Sequence, residues 1–444
     1  MSVTAVVWLV MFIVLAVKAF SRSSWGMCIY FMTFFAIPRG WWWGKDMLTT
    51  ITGRWSLMAA LIFLAAVSMN PGLQMPKKDG ASRRVFLILL FYAINATFVH
   101  FAFAGGSSKS YTGLELLWKF LLLSYLINLC IQNYEDLKLF VIAIITGAAY
   151  VAYEIIINDR GGFEKGRLEG IFIPGASESN YLAGLMSMCI PLAAYFLFFG
   201  KWKGRLFALI AVPMIFDVVL RCNSRGAFLA LPAGGARLYL ASTGRMRKFA
   251  TYGIILACLA IAYQAKDPEI HERFWSIFVP AEERDDSALS RIEFYKAGWE
   301  MIKTYPMGSG AEAAFKSRRG SRFIGGRYRA VHNGYIDIAA SWGIQGFALY
   351  MAAIFFAWRS MHLAIKFNNQ RGRTDVAFLG VCIEAALVVE LAACVFISGL
   401  DGEWFYWLIA GMLAYGRVCG PDAIEATSPM QRQVVPRELV AAGQ

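Results

Sequence analysis

The sequence predicts an all-α fold, a polytopic membrane protein of about twelve transmembrane helices with one large periplasmic loop that contains helices. Two observations predict it. Apolar runs long enough to cross a bilayer recur along the whole of the 444 residues. Only 16% of residues are charged and 58% are hydrophobic, whereas a soluble protein carries about 25% charge.

The spans read in order near 3–20, 51–69, 85–104, 114–131, 137–157, 180–199, 204–220, 225–241, 249–264, 334–357, 376–398 and 404–418. No A-x-A cleavage site follows the first run, so it reads as a retained span. The stretch 25–38 is apolar but short, and it runs into Pro38-Arg39-Gly40 and three tryptophans, Trp41 to Trp43. A run of that length reads as interfacial or re-entrant, with the tryptophans at headgroup level. If it spans instead, there are thirteen helices and the start of the chain changes side.

Sidedness follows from the basic residues of the short loops. Lys77, Lys78, Arg83 and Arg84 fall on one side with Lys201, Lys203, Arg205, Arg245, Arg247 and Lys248. Arg359, Lys366, Arg371 and Arg373 join them in a loop that also holds His362, and that side reads as cytoplasmic. Loops 158–179, 221–224, 265–333 and 399–403 then face outward. Four regions result: an N-terminal transmembrane bundle over 1–264, the periplasmic loop over 265–333, C-terminal transmembrane helices over 334–418, and a polar, disordered cytoplasmic tail over 419–444.

The eight cysteines form no CxxC pair and mostly lie in apolar runs, which suits small buried hydrophobes rather than a metal site or disulfide framework. No P-loop and no glycine-rich dinucleotide fingerprint is present. The net charge of +13 suits an anionic partner; nucleic acid is a poor one, because the densest basic patch faces outward.

The outward loops carry the chemistry. Arg167 stands in a glycine-rich loop where backbone can approach a ligand and a guanidinium can fork onto phosphate; a solvated loop arginine is the plainer reading. Arg221 and Arg225 flank a short outward turn, where snorkelling to the interface is the alternative. Residues 290–303 have a helical period that places Ile292, Tyr295, Trp299 and Ile302 on one face, with Asp285 and Asp286 suiting the helix start. Tyr305-Pro306 and Gly308-Ser309-Gly310 stop that helix. Lys316, Arg318, Arg319, Arg322, Arg327 and Arg329 then form a dense patch that suits a lipid pyrophosphate or glycan, or lipid headgroups.

His332 closes that patch directly before a span, beside Asn333. Neighbouring cations lower an imidazole's pKa and keep it able to accept a proton. His271, between outward charges, is its rival; His100 and His362 lack the setting. Asn333 and Tyr335 are candidates to orient the imidazole or stack on sugar. Gly343 and Gly346 read as permitting close helix packing. Asp401 and Glu403 face outward in an aromatic neighbourhood that suits an interface belt.

His332-Asn333 is followed by nine residues and then Gly343-Ile-Gln-Gly346. This resembles the H-[NSQ]-x9-G-x-x-G pattern of the O-antigen ligases. Ser224-Arg225-Gly226, Arg291-x7-Trp299 and Tyr305-Pro-x-Gly308-x-Gly310 are similar to the wider O-antigen ligase and polymerase superfamily, over roughly residues 110–415. The tryptophan-rich N-terminal part looks similar to ligase-like proteins found beside exosortase systems. One departure is Ala176-Ser-Glu178-Ser before Asn180, where an aspartate or proline is expected near the asparagine. The resemblance implies a glycosyltransferase of the bacterial inner membrane that needs no cofactor, metal or nucleotide sugar. It implies transfer of a glycan from undecaprenyl pyrophosphate to an acceptor hydroxyl on a glycan, lipid or protein, on the periplasmic side. In that reading His332 is the base, Arg291 and Arg225 hold the pyrophosphate, and Arg167, Arg327, Arg329, Asn333 and Tyr335 bind substrate. A repeat-unit polymerase uses the same chemistry. A transporter of anionic solutes is the alternative of a different class, set back by the lack of deep charges and of a broken-helix pair.

Overall fold

The computed structural model describes residues 2–47, 54–70, 73, 79–164, 166–264, 286–311, 315–316 and 319–421. Lys77, Lys78, Lys165, His271, Asp285, Arg318 and nearly all of the polar tail lie outside the described residues. A helix stands at every predicted span: α1 Val3–Ser21, α3 Trp55–Ser68, α4 Gly80–Phe103, α5 Ser108–Cys130, α6 Tyr134–Ile156, α7 Ser179–Phe199 and α8 Trp202–Arg221. The series continues with α9 Arg225–Ala241, α10 Gly244–Gln264, α12 Gly334–Gln370, α13 Thr374–Ala393 and α14 Glu403–Cys419. Two more helices, α2 Ser24–Phe35 and α11 Asp286–Thr304, complete the described set. Among the described residues seven helices (α1, α4, α5, α6, α7, α12 and α13) are long and apolar enough to cross a membrane, as a multi-pass membrane protein requires.

Contacts between connecting segments define two ends of the bundle. At one end Arg22 pairs with Asp136 at 2.5 Å, Arg417 with Asp79 at 3.3 Å, and Asn368 donates to the Cys419 carbonyl at 2.7 Å. Arg371 and Arg373 follow α12 at this end. At the other end the chain segments after α2, α4, α6, α8, α11 and α13 meet, as detailed below.

The short stretch after residue 24 is not laid along the surface. Helix α2 starts beside Arg22 at the first end and delivers Trp42 to Glu154, near the C-terminus of α6, at the other (Nε1 to Oε2, 3.1 Å). It is buried along most of its length. Trp8, near the start of α1, packs on Trp43 and Trp55 with ring centroids 5.8 and 5.0 Å apart. The start of α1 therefore lies at the same end as Trp43. Its twelve residues rise about 18 Å.

Helix α12 is longer than the apolar pattern suggests. Arg359, His362 and Lys366, read as loop residues, are helical, because the apolar stripe through Tyr350, Ala353, Ile354, Ala357, Met361, Ala364 and Ile365 continues past the hydrocarbon length and stays buried. The helix also breaks at Gly343, whose φ is 81° and ψ 167°. The break is stitched by the segment after α11. The Ser309 and Gly310 amides donate to the Ala340 and Ser341 carbonyls at 3.0 and 2.9 Å, and the Ile344 amide donates to the Pro306 carbonyl at 3.0 Å. Asn95 of α4 donates to the Trp342 carbonyl at 2.8 Å. Three carbonyls and one amide at the break are thus paired, as buried backbone groups require. Gly343 serves both the backbone conformation and a close approach to the segment after α11, since a Cβ there would stand 2.6 Å from the Met307 carbonyl carbon. Gly346 serves packing, since a Cβ there would stand 2.7 Å from the Asn95 amide.

Helix α11 docks by a face one position away from the expected one. Phe294, Met301 and Ile302 are buried while Ile292 and Trp299 are 41% and 57% exposed. Gly298 decides this, because a Cβ there would meet Ile336 at 2.5 Å; only glycine lets the helix come this close to the first half of α12. Phe315, Ile324 and Val331 complete this small core.

Candidate functional site

The loops of the second end are held to one another by backbone-directed hydrogen bonds. Strands β1 Gly162–Glu164 and β2 Arg167–Glu169 form an antiparallel hairpin where only a loop was expected. The Ser179 hydroxyl bonds to the Leu168 carbonyl at 2.9 Å and to the Glu169 carboxylate, fixing the hairpin to the start of α7. Asn223 donates to the Gly166 carbonyl at 3.3 Å, joining the hairpin to the turn before α9. Gly226 lies against Phe396, leaving 2.8 Å for an added Cβ. The Gly334 amide donates to the Cys394 carbonyl at 2.8 Å, and the Tyr295 hydroxyl to the Val395 carbonyl at 2.6 Å.

Asn333 builds the start of α12. Its side-chain oxygen accepts from the Tyr335 and Ile336 amides at 3.0 and 3.1 Å, and its Nδ2 donates to the Val395 carbonyl at 3.3 Å. This is helix capping of the usual polar kind. The Tyr335 hydroxyl donates to the Leu391 carbonyl at 2.7 Å. Both side chains therefore spend their polar atoms on α12 and α13. Arg327 likewise pairs with Glu293 at 2.6 Å, donates to the Ile324 carbonyl at 2.9 Å and lies over the Phe294 ring, which ties the loop to α11.

His332 is presented by this frame. Its φ is 53°, a left-handed conformation that non-glycine residues seldom adopt and that is over-represented at functional positions. Among the described residues, only Asp159 and Asn223 share that trait, and they stand in the two neighbouring loops. The His332 carbonyl accepts from Tyr295 at 3.3 Å. Its Nδ1 is buried with no hydrogen-bond partner among the described residues. Burial first, then the charges of Arg291, Lys316, Arg167 and Arg329, lower its pKa from 6.5 to about 4. Above that value the ring is neutral and its lone pair is available.

The structure thus brings His332, Arg291, Arg167 and Arg329 together. Arg225 opens α9, two residues after the Asn223 that bonds to the hairpin. Lys316, noted in the sequence only as part of the basic patch, acts on both His332 and Asp337. Nothing in the local sequence distinguishes it from its neighbours. Asp401 stands in the turn between α13 and α14, where burial pushes its carboxyl up to about 6; it interacts with Asp337, one turn into α12. Glu403 is buried and accepts from Tyr30 at 2.6 Å and Trp407 at 3.2 Å. Charges do occur deep in the bundle: Glu384 of α13 accepts from Arg237 at 2.5 Å and Trp358 at 2.7 Å. His362 Nδ1 lies 3.2 Å from the same carboxylate. No group of metal-ligating side chains occurs among the described residues.

A family model described as O-antigen ligase matches residues 209–351. Over these residues the chain is similar to that family. The match runs from α8 through the turn at Arg225, helix α11 and the basic loop to His332 and the Gly343 break. Arg167 and its hairpin lie outside the matched ligase segment, yet Arg167 acts on His332. No curated protein matches the chain.

Proposed function

We propose that this protein transfers a glycan from a polyprenyl pyrophosphate, undecaprenyl pyrophosphate in a bacterial inner membrane, to an acceptor hydroxyl on the periplasmic face. One observation carries the reading: a buried, neutral imidazole stands among four cationic side chains. Cations gathered around a buried imidazole suit a diphosphate leaving group next to a base.

In the proposed step His332 accepts the proton of the acceptor hydroxyl as its oxygen attacks the anomeric carbon. The bond between that carbon and the diphosphate oxygen breaks, and polyprenyl pyrophosphate leaves with the electron pair. Attack opposite the leaving group inverts the anomeric centre. Arg291, Lys316 and Arg167 offset the charge that grows on the diphosphate, with Arg225 and Arg329 at the margin. Removal of one such donor costs on the order of 10²–10³ in rate. Asn333, Tyr335 and Arg327 hold the loop and helix start in place. The same displacement serves ligation and chain extension, which differ in the acceptor.

The test is transfer in proteoliposomes, with lipid-linked glycan extracted from a deletion strain as donor. Accumulation of that donor in the strain and its consumption by the purified protein are expected. Uptake of a soluble anion without any glycan transfer would instead support a transporter.

A further inference from the structure

The three consecutive tryptophans have different fates. Trp41 and Trp43 are 4% and 2% exposed, and their indole nitrogens are spent on the Phe35 carbonyl at 3.0 Å and the Tyr150 hydroxyl at 2.7 Å. They anchor the turn. Trp42 between them is 39% exposed, and its ring is nevertheless held fast. Its nitrogen donates to Glu154, a buried carboxylate that also accepts from Tyr150 at 2.8 Å and Asn158 at 3.0 Å. The Arg160 guanidinium lies 5.1 Å from the Trp42 ring centroid. Asp159, with φ 50°, turns the chain so that Arg160 is delivered there. A second pair stands alongside, with the Arg39 guanidinium 4.6 Å from the Phe172 ring centroid. The two are in register because Gly40 packs on the Phe172 carbonyl, leaving 2.8 Å for an added Cβ.

This shelf adjoins the candidate site through the hairpin. Arg160 immediately precedes β1, and Gly162 pairs with Glu169, two residues beyond Arg167. Four residues of strand rise separate Arg160 from the position paired with Arg167, about 13 Å along the hairpin, on the scale of two or three sugar rings. A fixed, half-exposed aromatic ring with a guanidinium over it offers what a pyranose needs: exposed apolar ring surface for its C–H groups and a forked donor for adjacent hydroxyls.

We propose that Trp42 with Arg160, flanked by Phe172 with Arg39, forms a sugar subsite that grips the substrate glycan beyond the residue joined to the diphosphate. This rests on the glycan-transfer reading above. The subsite would make the protein favour donors carrying several sugars over donors carrying one.

The experiment measures transfer kinetics for wild type, Trp42→Ala, Trp42→Phe and Arg160→Ala. It uses two donors, the native lipid-linked glycan extracted from the deletion strain and synthetic undecaprenyl pyrophosphate bearing one N-acetylglucosamine. Trp42→Ala should raise KM for the native donor roughly three- to tenfold with kcat retained, and leave the single-sugar donor unchanged. Trp42→Phe should recover most of the loss, and Arg160→Ala should show a similar KM effect. An unchanged KM for the native donor overturns the subsite, as does an equal loss on both donors, which marks a folding or membrane-anchoring tryptophan. If wild type transfers from neither donor, the transferase reading fails instead. The subsite is then decided by calorimetric binding of glycan freed from the native donor by mild acid. Binding by wild type that Trp42→Ala abolishes upholds it, and no binding by wild type sinks it.

Discussion

At the scale of the residue, the chemistry rests on what surrounds one imidazole. His332 would be a commonplace histidine in water; here burial and the charges of Arg291, Lys316, Arg167 and Arg329 hold its pKa near 4. The sign is definite. A base must be neutral, so activity should persist as pH falls through 6 and be lost only on approach to about 4. The group also binds fewer protons folded than unfolded between pH 4 and 6.5, so its share of stability fades as pH falls across that window. Arg291→Ala removes a charge that disfavours imidazolium. The acid limb of a pH–rate profile should therefore move to higher pH in that variant. A limb centred near 6 that ignores Arg291→Ala would point to Asp401 in place of His332. The sequence made His332 and Arg291 legible because a lone histidine closing a basic loop is rare. It left Lys316 unmarked, since one lysine in a basic run looks like any other until the chain folds. The sequence did not show that the polar atoms of Asn333, Tyr335 and Arg327 go to a helix cap, a carbonyl and a glutamate.

At the scale of the element, the break in α12 is the feature that places the site. The glycines of the segment after α11 fit against it so tightly that a Cβ on Gly308 would stand 2.6 Å from the Gly343 nitrogen, at a φ of 96°. Gly308→Ala must move backbone on one side or the other. It should lower stability by about 1–3 kcal/mol and reduce transfer, seen as an earlier thermal transition of the purified protein. Helix periodicity located α11 well, but its buried face was misread by one position. Apolar pattern alone weighed Trp299 and Ile292 as heavily as Phe294 and Met301. The close approach that Gly298 permits is a three-dimensional fact. For the same reason the hairpin carrying Arg167 was not legible: three-residue strands have too little pattern to register.

At the scale of the whole molecule, alternating helices put every loop read as outward, where described, at one end with the site. The basic segments Lys201–Arg205 and Arg371–Arg373 fall at the other. Helix α2 alters one part of that scheme, because its passage through the bundle brings the start of α1 to the site end. Thiol labelling from each side of the membrane tests this, with the exposed Cys258 first replaced by serine. Ser2→Cys and Tyr328→Cys should label from the same face and Arg371→Cys from the opposite one; Ser2→Cys labelling with Arg371→Cys would contradict the passage of α2. The fold class was plain from hydropathy, whereas α2 was not, because twelve residues are too few to announce a crossing. The central claim, that His332 is the base of a glycan transfer, is met most directly by single-turnover transfer with His332→Ala in proteoliposomes. A rate lower by roughly 10²–10⁴, in a protein whose thermal transition matches wild type, is the predicted result. Transfer at the wild-type rate would contradict it.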